Sequence, residues 1–228
     1  MLRIIPIFLL LISSNSLFPQ SDYSVYEMYN VTNYKNNKNL QVEIDFDHID
    51  YVLLNAAVFF RTNEVRMQNQ LSELTFLKNL ECSATMHAND MVKHSFFSHI
   101  NKLEVTKKNP SDRGKVCGIL NPFFAENIAT SFGIKYTADS KVYLVDRDKG
   151  LFSYKINGDT IGNHSYLSLA FALVNQWMNS PGHRANILNN KALQLGCGSL
   201  FYRDKDFNNM GMFMFVQNFQ LYEIAKTK

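Results

Sequence analysis

Cysteine is scarce: the 228-residue chain has three, Cys82, Cys117 and Cys197. No two of them form a Cys-x-x-Cys pair, which excludes a zinc ribbon. In an oxidising compartment an odd count allows one internal bridge with a leftover thiol, or no bridge. Charge of one sign is also lacking. Lys and Arg total 23 against 20 Asp and Glu, a net charge of +3. No dense basic run accompanies that small excess, which excludes nucleic acid as a partner. Past the opening residues there is no apolar run of the roughly 20 residues that cross a bilayer. Internal repeats and low-complexity tracts are missing too. What remains is 46% hydrophobic and 13% aromatic, the make-up of a packed globule.

The opening residues read as a targeting segment. Met1-Leu2-Arg3 supplies a positive start, Ile4 to Ile12 is almost wholly apolar, and Ser14-Asn15-Ser16 offers small residues to a signal peptidase. Cleavage after Ser16 fits best and cleavage after Gln20 is the alternative. Residues 1–20 are therefore assigned as a signal peptide, with a retained anchor as the competing reading. The expected location is secreted, cell-surface or periplasmic. Residues 21–46, polar and rich in Tyr and Asn, read as a tether that includes a short extended piece at Leu40 to Phe46.

Asp47 or Asp50 can cap a buried helix that starts near Tyr51 and runs to about Arg66. Leu77, Leu80, Ala84, Ala88 and Met91 recur at helical spacing and predict a helix from Leu77 to about Lys93. Asn101 to Lys115 is a loop by composition. Residues 134–165 read as an insertion carrying a hairpin, Lys141–Val145 and Leu151–Ile156 around Asp146 to Gly150. Leu193–Tyr202 and Met210–Leu221 read as strands. The order predicts an α+β fold, an antiparallel sheet covered by helices.

The stretch WMNSPGHRANIL, Trp177 to Leu188, is the centre of the chain. Leu167, Ala170, Leu173, Val174 and Trp177 fall on one helical face. Ser180-Pro181-Gly182-His183 reads as a tight turn in which Gly182 accepts positive φ. It presents His183 at the start of a second short helix, whose N-terminus favours a neutral ring. A site histidine and a structural histidine bonded to nearby backbone both fit this stretch.

Four separated motifs then agree in order and spacing: Thr62-Asn63-Glu64-Val65-Arg66, Phe97-Ser98-His99, Glu126-Asn127-Ile128-Ala129, and Trp177 to Leu188. Gly196-Cys197-Gly198 and Val216-Gln217-Asn218-Phe219 close the set. Over about Leu53 to Phe219 the chain resembles the SCP/CAP domain of cysteine-rich secretory proteins, venom antigens and plant pathogenesis-related proteins, and most of all its secreted bacterial members. The resemblance implies a three-layer α-β-α sandwich with a cleft, here assigned to residues 47–221, followed by a tail at 222–228. It also implies that His99, His183 and Glu126 line the cleft. In animal members two histidines and two glutamates there hold a divalent metal, but the second glutamate position is Ser180 in this chain, and Ala125 replaces the usual glycine before Glu126. His99 and His183 are thus the implied ligands for a metal such as zinc, with water completing the shell. Without metal, Glu126 would hydrogen-bond one or both imidazoles.

Ser180 and Asn127 are assigned to the cleft beside these three, and Arg113, Trp177 and Gly182 to its structural support. His87 and Asp90 match family positions and read as helix-surface or capping contacts. His94 and His164 read as surface residues. Cys82–Cys117 is the expected bridge and Cys197 a buried thiol. The favoured function is a binding module that holds a small ligand, lipid or peptide, or contacts an extracellular protein, rather than an enzyme. A metal-assisted hydrolase and a scaffold acting through its surface loops are the alternatives, since a fold does not fix function.

Overall fold

The computed structural model describes residues 22–228; the segment assigned as a signal peptide lies outside them. The helices are α1 (Val25–Met28), α2 (Tyr51–Gln68), α3 (Lys78–Lys93), α4 (Pro110–Val116), α5 (Tyr166–Asn179) and α6 (Pro181–Ile187). The strands are β1 (Thr75–Phe76), β2 (Phe124–Phe132), β3 (Tyr143–Asp146), β4 (Leu151–Ser153), β5 (Ala192–Asp204) and β6 (Met210–Leu221).

The main sheet runs β1-β5-β6-β2. β6 lies antiparallel to both neighbours, with Phe215 opposite Ser199 on β5 and Ala129 on β2. The two-residue β1 joins β5 in parallel, so the sheet is mixed and not purely antiparallel as expected. So short a strand carries no period-2 pattern for a sequence to display.

Side-chain alternation along β6 sorts the core into two layers. Phe213, Phe215 and Phe219 face the side covered by α2 and α5, where Leu54, Leu173 and Trp177 are fully buried. Met214 and Val216 face the other side, against Ala84, Ala88 and Met91 of α3. α3 lies against β5 at Gly196 and Gly198. A Cβ on Gly198 would sit 2.2 Å from the Thr85 nitrogen, so no larger residue fits without moving the helix. The helix starts obey local chemistry. Asp50 accepts from the Leu53 N–H at 2.9 Å to cap α2, and Ser165 and Ser168 form a reciprocal box on α5.

Three sequence expectations need correction. The stretch read as a tether is packed: Tyr34, Leu40 and Ile44 are buried, and the Tyr26 ring stacks on Phe76. A few aromatic and aliphatic plugs spaced among asparagines suffice to dock a segment whose average composition is polar. Lys38–Gln41 is a 3-10 helix, so the extended piece expected from Leu40 begins only after it, where Val42 is extended and Glu43 bridges Ser165. The stretch from Asn101 to Lys115 contains α4, which starts at Pro110, a residue whose missing N–H costs nothing at a first helical position. The tail is tied down, with Ala225 buried and its N–H donating to Gln194 at 2.7 Å.

The insertion forms its own two-stranded sheet, β3 and β4, and packs through Phe152 and Ile161 onto Met210 and Met212. Cys82 and Cys117 are bridged, their Cα atoms 6.0 Å apart, which joins α3 to the end of α4. Cys197 is a free buried thiol.

Candidate functional site

Glu126 sits on β2, where the sheet meets the segment that follows α3, and its side chain is only 2% exposed. Such a carboxylate requires partners. Arg113 reaches it from α4, donating from Nη2 to Oε2 at 2.7 Å. The same guanidinium, fully buried, donates to the carbonyls of His99 (3.2 Å), Lys107 (3.0 Å) and Lys108 (3.3 Å). One cation thereby ties the middle and the end of the segment between α3 and α4 to the sheet.

The second oxygen, Oε1, faces His99 Nδ1 at 3.0 Å. A carboxylate only accepts, which assigns the proton to Nδ1 and leaves Nε2 on the far side of the ring. The His99 side chain is 48% exposed, so that far side meets solvent. His87 is the second imidazole against this carboxylate, its Nε2 3.8 Å from Oε1 and 2.9 Å from the Ser98 carbonyl. Burial pushes the His87 pKa down to about 4, so it is a neutral donor to that carbonyl at ordinary pH.

His87 is fully buried and Asp90, which accepts from Asn101 at 3.0 Å, is buried as well; neither is the surface contact expected. The signal was present: His87 lies three residues after Ala84 and four before Met91, on the inward stripe of α3. His164, expected at the surface, is half-buried. Its Nδ1 lies 2.9 Å from Ser168 Oγ, and burial pushes its pKa down to about 4.

His183 stands on the first turn of α6. The expected tight turn is this helix start itself: Ser180 ends α5, and its carbonyl accepts the Arg184 N–H at 2.9 Å. Gly182 has helical rather than positive φ and open space around it. The His183 pKa is lowered, first by burial and second by facing His99. The two rings share one hollow of about 590 Å³, also walled by Phe97, Ile128, Thr130 and Gln176.

His183 makes no hydrogen bond to Glu126, so the carboxylate holds one ring of the pair. Asn127, expected in the cleft, is fully buried behind it. It donates to the His183 carbonyl at 3.2 Å and accepts from Asn186 at 2.8 Å, clamping α6 to β2. Ser180 does not line the hollow. Trp177 is fully buried beneath it, its Nε1 3.5 Å from the Ile128 carbonyl.

Residues 59–219 match the family described as the cysteine-rich secretory protein family, CAP. The chain belongs to the CAP family. No curated protein matches the sequence. Among solved structures it is similar to an extracellular protein containing an SCP domain from Bacillus anthracis, at 21% identity and a TM-score of 0.49. That match covers 75% of this chain and 41% of the other. It is also similar to an outer surface protein from Borrelia burgdorferi (16% identity, TM-score 0.46), over 82% of this chain and 99% of that one. A cysteine-rich secretory protein from Staphylococcus aureus matches at 14% identity and a TM-score of 0.44, over 75% of this chain and 39% of that one. This CAP chain thus spans well under half the length of the Bacillus and Staphylococcus chains.

The metal that CAP relatives suggest does not fit these residues. Among the described residues no group of three or more His, Cys, Asp or Glu side chains is arranged to hold an ion. Both oxygens of Glu126 are engaged, one of them by a guanidinium whose charge opposes a second cation. Ser180, at the position of the missing glutamate, is the residue shared by the end of α5 and the start of α6 and does not line the hollow.

Proposed function

We propose that this CAP domain is a secreted binding module and that its cleft holds a ligand by hydrogen bonds to His99 and His183. One observation carries the reading: the buried Arg113–Glu126 pair fixes the ring of a half-exposed histidine, leaving Nε2 free at the wall of a hollow. A charge pair kept out of water to aim one imidazole is a preorganised polar contact. Phe97 and Ile128 add apolar wall, so the hollow suits a ligand with a hydroxyl head, which donates to His99 Nε2, and an apolar body. Among the described residues neither ring is hydrogen-bonded to a serine, threonine or cysteine side chain, so the geometry supports holding a ligand rather than activating a nucleophile.

The apolar opening segment, assigned as a signal peptide, supports export. Among the described residues no helix is long and apolar enough to cross a membrane. Titration of protein carrying 13C-labelled histidine with octyl glucoside, which combines a hydroxyl-bearing head with an apolar chain, tests the cleft. Saturable shifts of the His99 and His183 rings, lost with His99→Ala, are expected. Rings unmoved up to the micelle concentration would contradict the reading.

A further inference from the structure

The residues after β6 build a surface of their own with the segment after α4. Ile119 bridges Thr227 antiparallel. The Leu120 N–H donates to the Lys226 carbonyl at 2.8 Å, and the Lys228 N–H to the Gly118 carbonyl at 3.1 Å. Paired extended chains send alternate side chains to opposite faces. Ile119 and Ala225 lie on the inner face, buried with Leu80 of α3. Leu120, Ile224, Lys226 and Lys228 lie on the outer face and are exposed. The Cys82–Cys117 bridge ends one residue before this ribbon, and Asn79 of α3 donates to the Cys117 carbonyl at 2.6 Å. The ribbon is therefore anchored to α3.

Two aromatic rings adjoin it. Phe123 and Tyr222 meet edge to face with centroids 5.1 Å apart, and the Lys191 ammonium stands 4.7 Å from the Tyr222 ring centre. Tyr222 has φ 67°, the left-handed region that a bulky residue rarely occupies. Bonds on either side fix it there. Its own N–H donates to the Lys191 carbonyl at 3.0 Å, and the Leu221 N–H to the Phe123 carbonyl at 2.8 Å. Backbone outliers gather where a side chain is put to use, and this one carries an exposed ring. Leu120, Phe123, Tyr222 and Ile224 are between 53% and 64% exposed. They project outward, and none walls the histidine hollow. Lys191 with residues 115–123 and 221–228 supplies four lysines against one carboxylate, Glu223.

We infer that this patch docks the protein on the surface of a bilayer that carries anionic headgroups. Phe123, Tyr222, Leu120 and Ile224 enter the boundary between headgroups and acyl chains, where aromatic rings with a polar tip are at home. The lysines draw the patch to negative charge and keep their ammonium groups in the headgroup layer. A protein partner calls for a complementary shape. A bilayer yields to projecting side chains, so an apolar set that stands outward among cations fits the bilayer. The inference does not draw on the reading of the histidine cleft.

The test is co-sedimentation with vesicles of the protein freed of its apolar opening segment, which would itself enter a bilayer. One set of vesicles is phosphatidylcholine alone, the other phosphatidylcholine and phosphatidylglycerol in equal parts. Binding is expected to the mixed vesicles only and to fall as salt rises. Lys226→Glu combined with Lys228→Glu is expected to weaken it at least about ten-fold. Phe123→Trp adds a reporter to a chain whose own Trp177 is fully buried. Brominated lipid in the mixed vesicles is expected to quench the new indole and to spare the parent chain. His99→Ala is expected to bind the vesicles as the parent does. No sedimentation with mixed vesicles, charge-reversed protein bound within two-fold of the parent, or an unquenched Phe123→Trp overturns the inference. So does a dimer of the parent chain that leaves the vesicles unbound, which would assign the patch to a second copy. Loss of binding in His99→Ala overturns it as well, by moving the contact to the cleft.

Discussion

Removing the Arg113 guanidinium while keeping its packing, as in Arg113→Met, leaves the Glu126 carboxylate 2% exposed with no cation. Breaking one side of a buried pair costs about 3–5 kcal/mol, because the remaining charge is stranded. Three carbonyls, of His99, Lys107 and Lys108, lose their donor at the same time. At about 2–4 °C per kcal/mol for a chain of this size, the midpoint falls by roughly 6–20 °C. Glu126→Gln, which strands the arginine instead, should also destabilise. The double variant removes both charges together and should cost less than the two single variants combined, by at least about 2 kcal/mol. Urea unfolding followed by the fluorescence of Trp177, the sole tryptophan and fully buried, reads all four corners of the cycle. A cost below about 1 kcal/mol for Arg113→Met, or strict additivity, would refute the claim that this pair is buried and coupled.

Further outcomes follow from other parts of the molecule. Glu81, pushed up to about 7 by burial and held by the Tyr23 and Tyr26 hydroxyls, keeps a proton that the unfolded chain releases above about 4.5. Its contribution to stability is therefore present at low pH and is lost as pH rises toward 7, by about 3 kcal/mol in all. His87 and His164, pushed down to about 4, slope the other way, losing stability as pH falls below 6.5. The difference between Glu81→Gln and the parent, measured in urea from pH 5 to 8, should isolate the first slope; a flat difference would contradict it. His183 should titrate below the ordinary histidine value, and His99→Ala should raise its midpoint in ring spectra, because His99 is the second cause of the shift. Ellman's reagent should find no reactive thiol in the native protein, one after denaturation and three after reduction, since burial pushes the Cys197 thiol up and the other two are bridged. Reduction should cost about 3–4 kcal/mol, the chain-entropy value for a loop spanning 35 positions.

What could be read in advance was whatever repeats along the chain. α2, α3 and α5 announce themselves by apolar spacing and caps, and β5 and β6 by long β-rich runs. β1 was illegible because two residues show no period. β2 escaped notice because Glu126 and Asn127 put a carboxylate and an amide in its middle, and their partners come from elsewhere in the chain. The same reason hid His87: a histidine on an inward stripe reads as an exception until Ser98 and Glu126 are placed against it. Motif resemblance located His99, Glu126 and His183, yet it could not show that the carboxylate binds one ring and an arginine. Ser180 and Asn127 lay inside the right motifs, and their backbone placement kept both from the cleft.

The docked amino-terminal segment bears on how this protein can be produced. A polypeptide trimmed to residues 59–219, the limits of the family match, would begin in the middle of α2 and lose its Asp50 cap. It would also discard Tyr26, which covers Phe59 and Phe76, and Tyr34, which covers Phe60. Those rings would then be left facing water, an invitation to precipitate. Expression boundaries should be drawn ahead of Tyr23 and past Ala225.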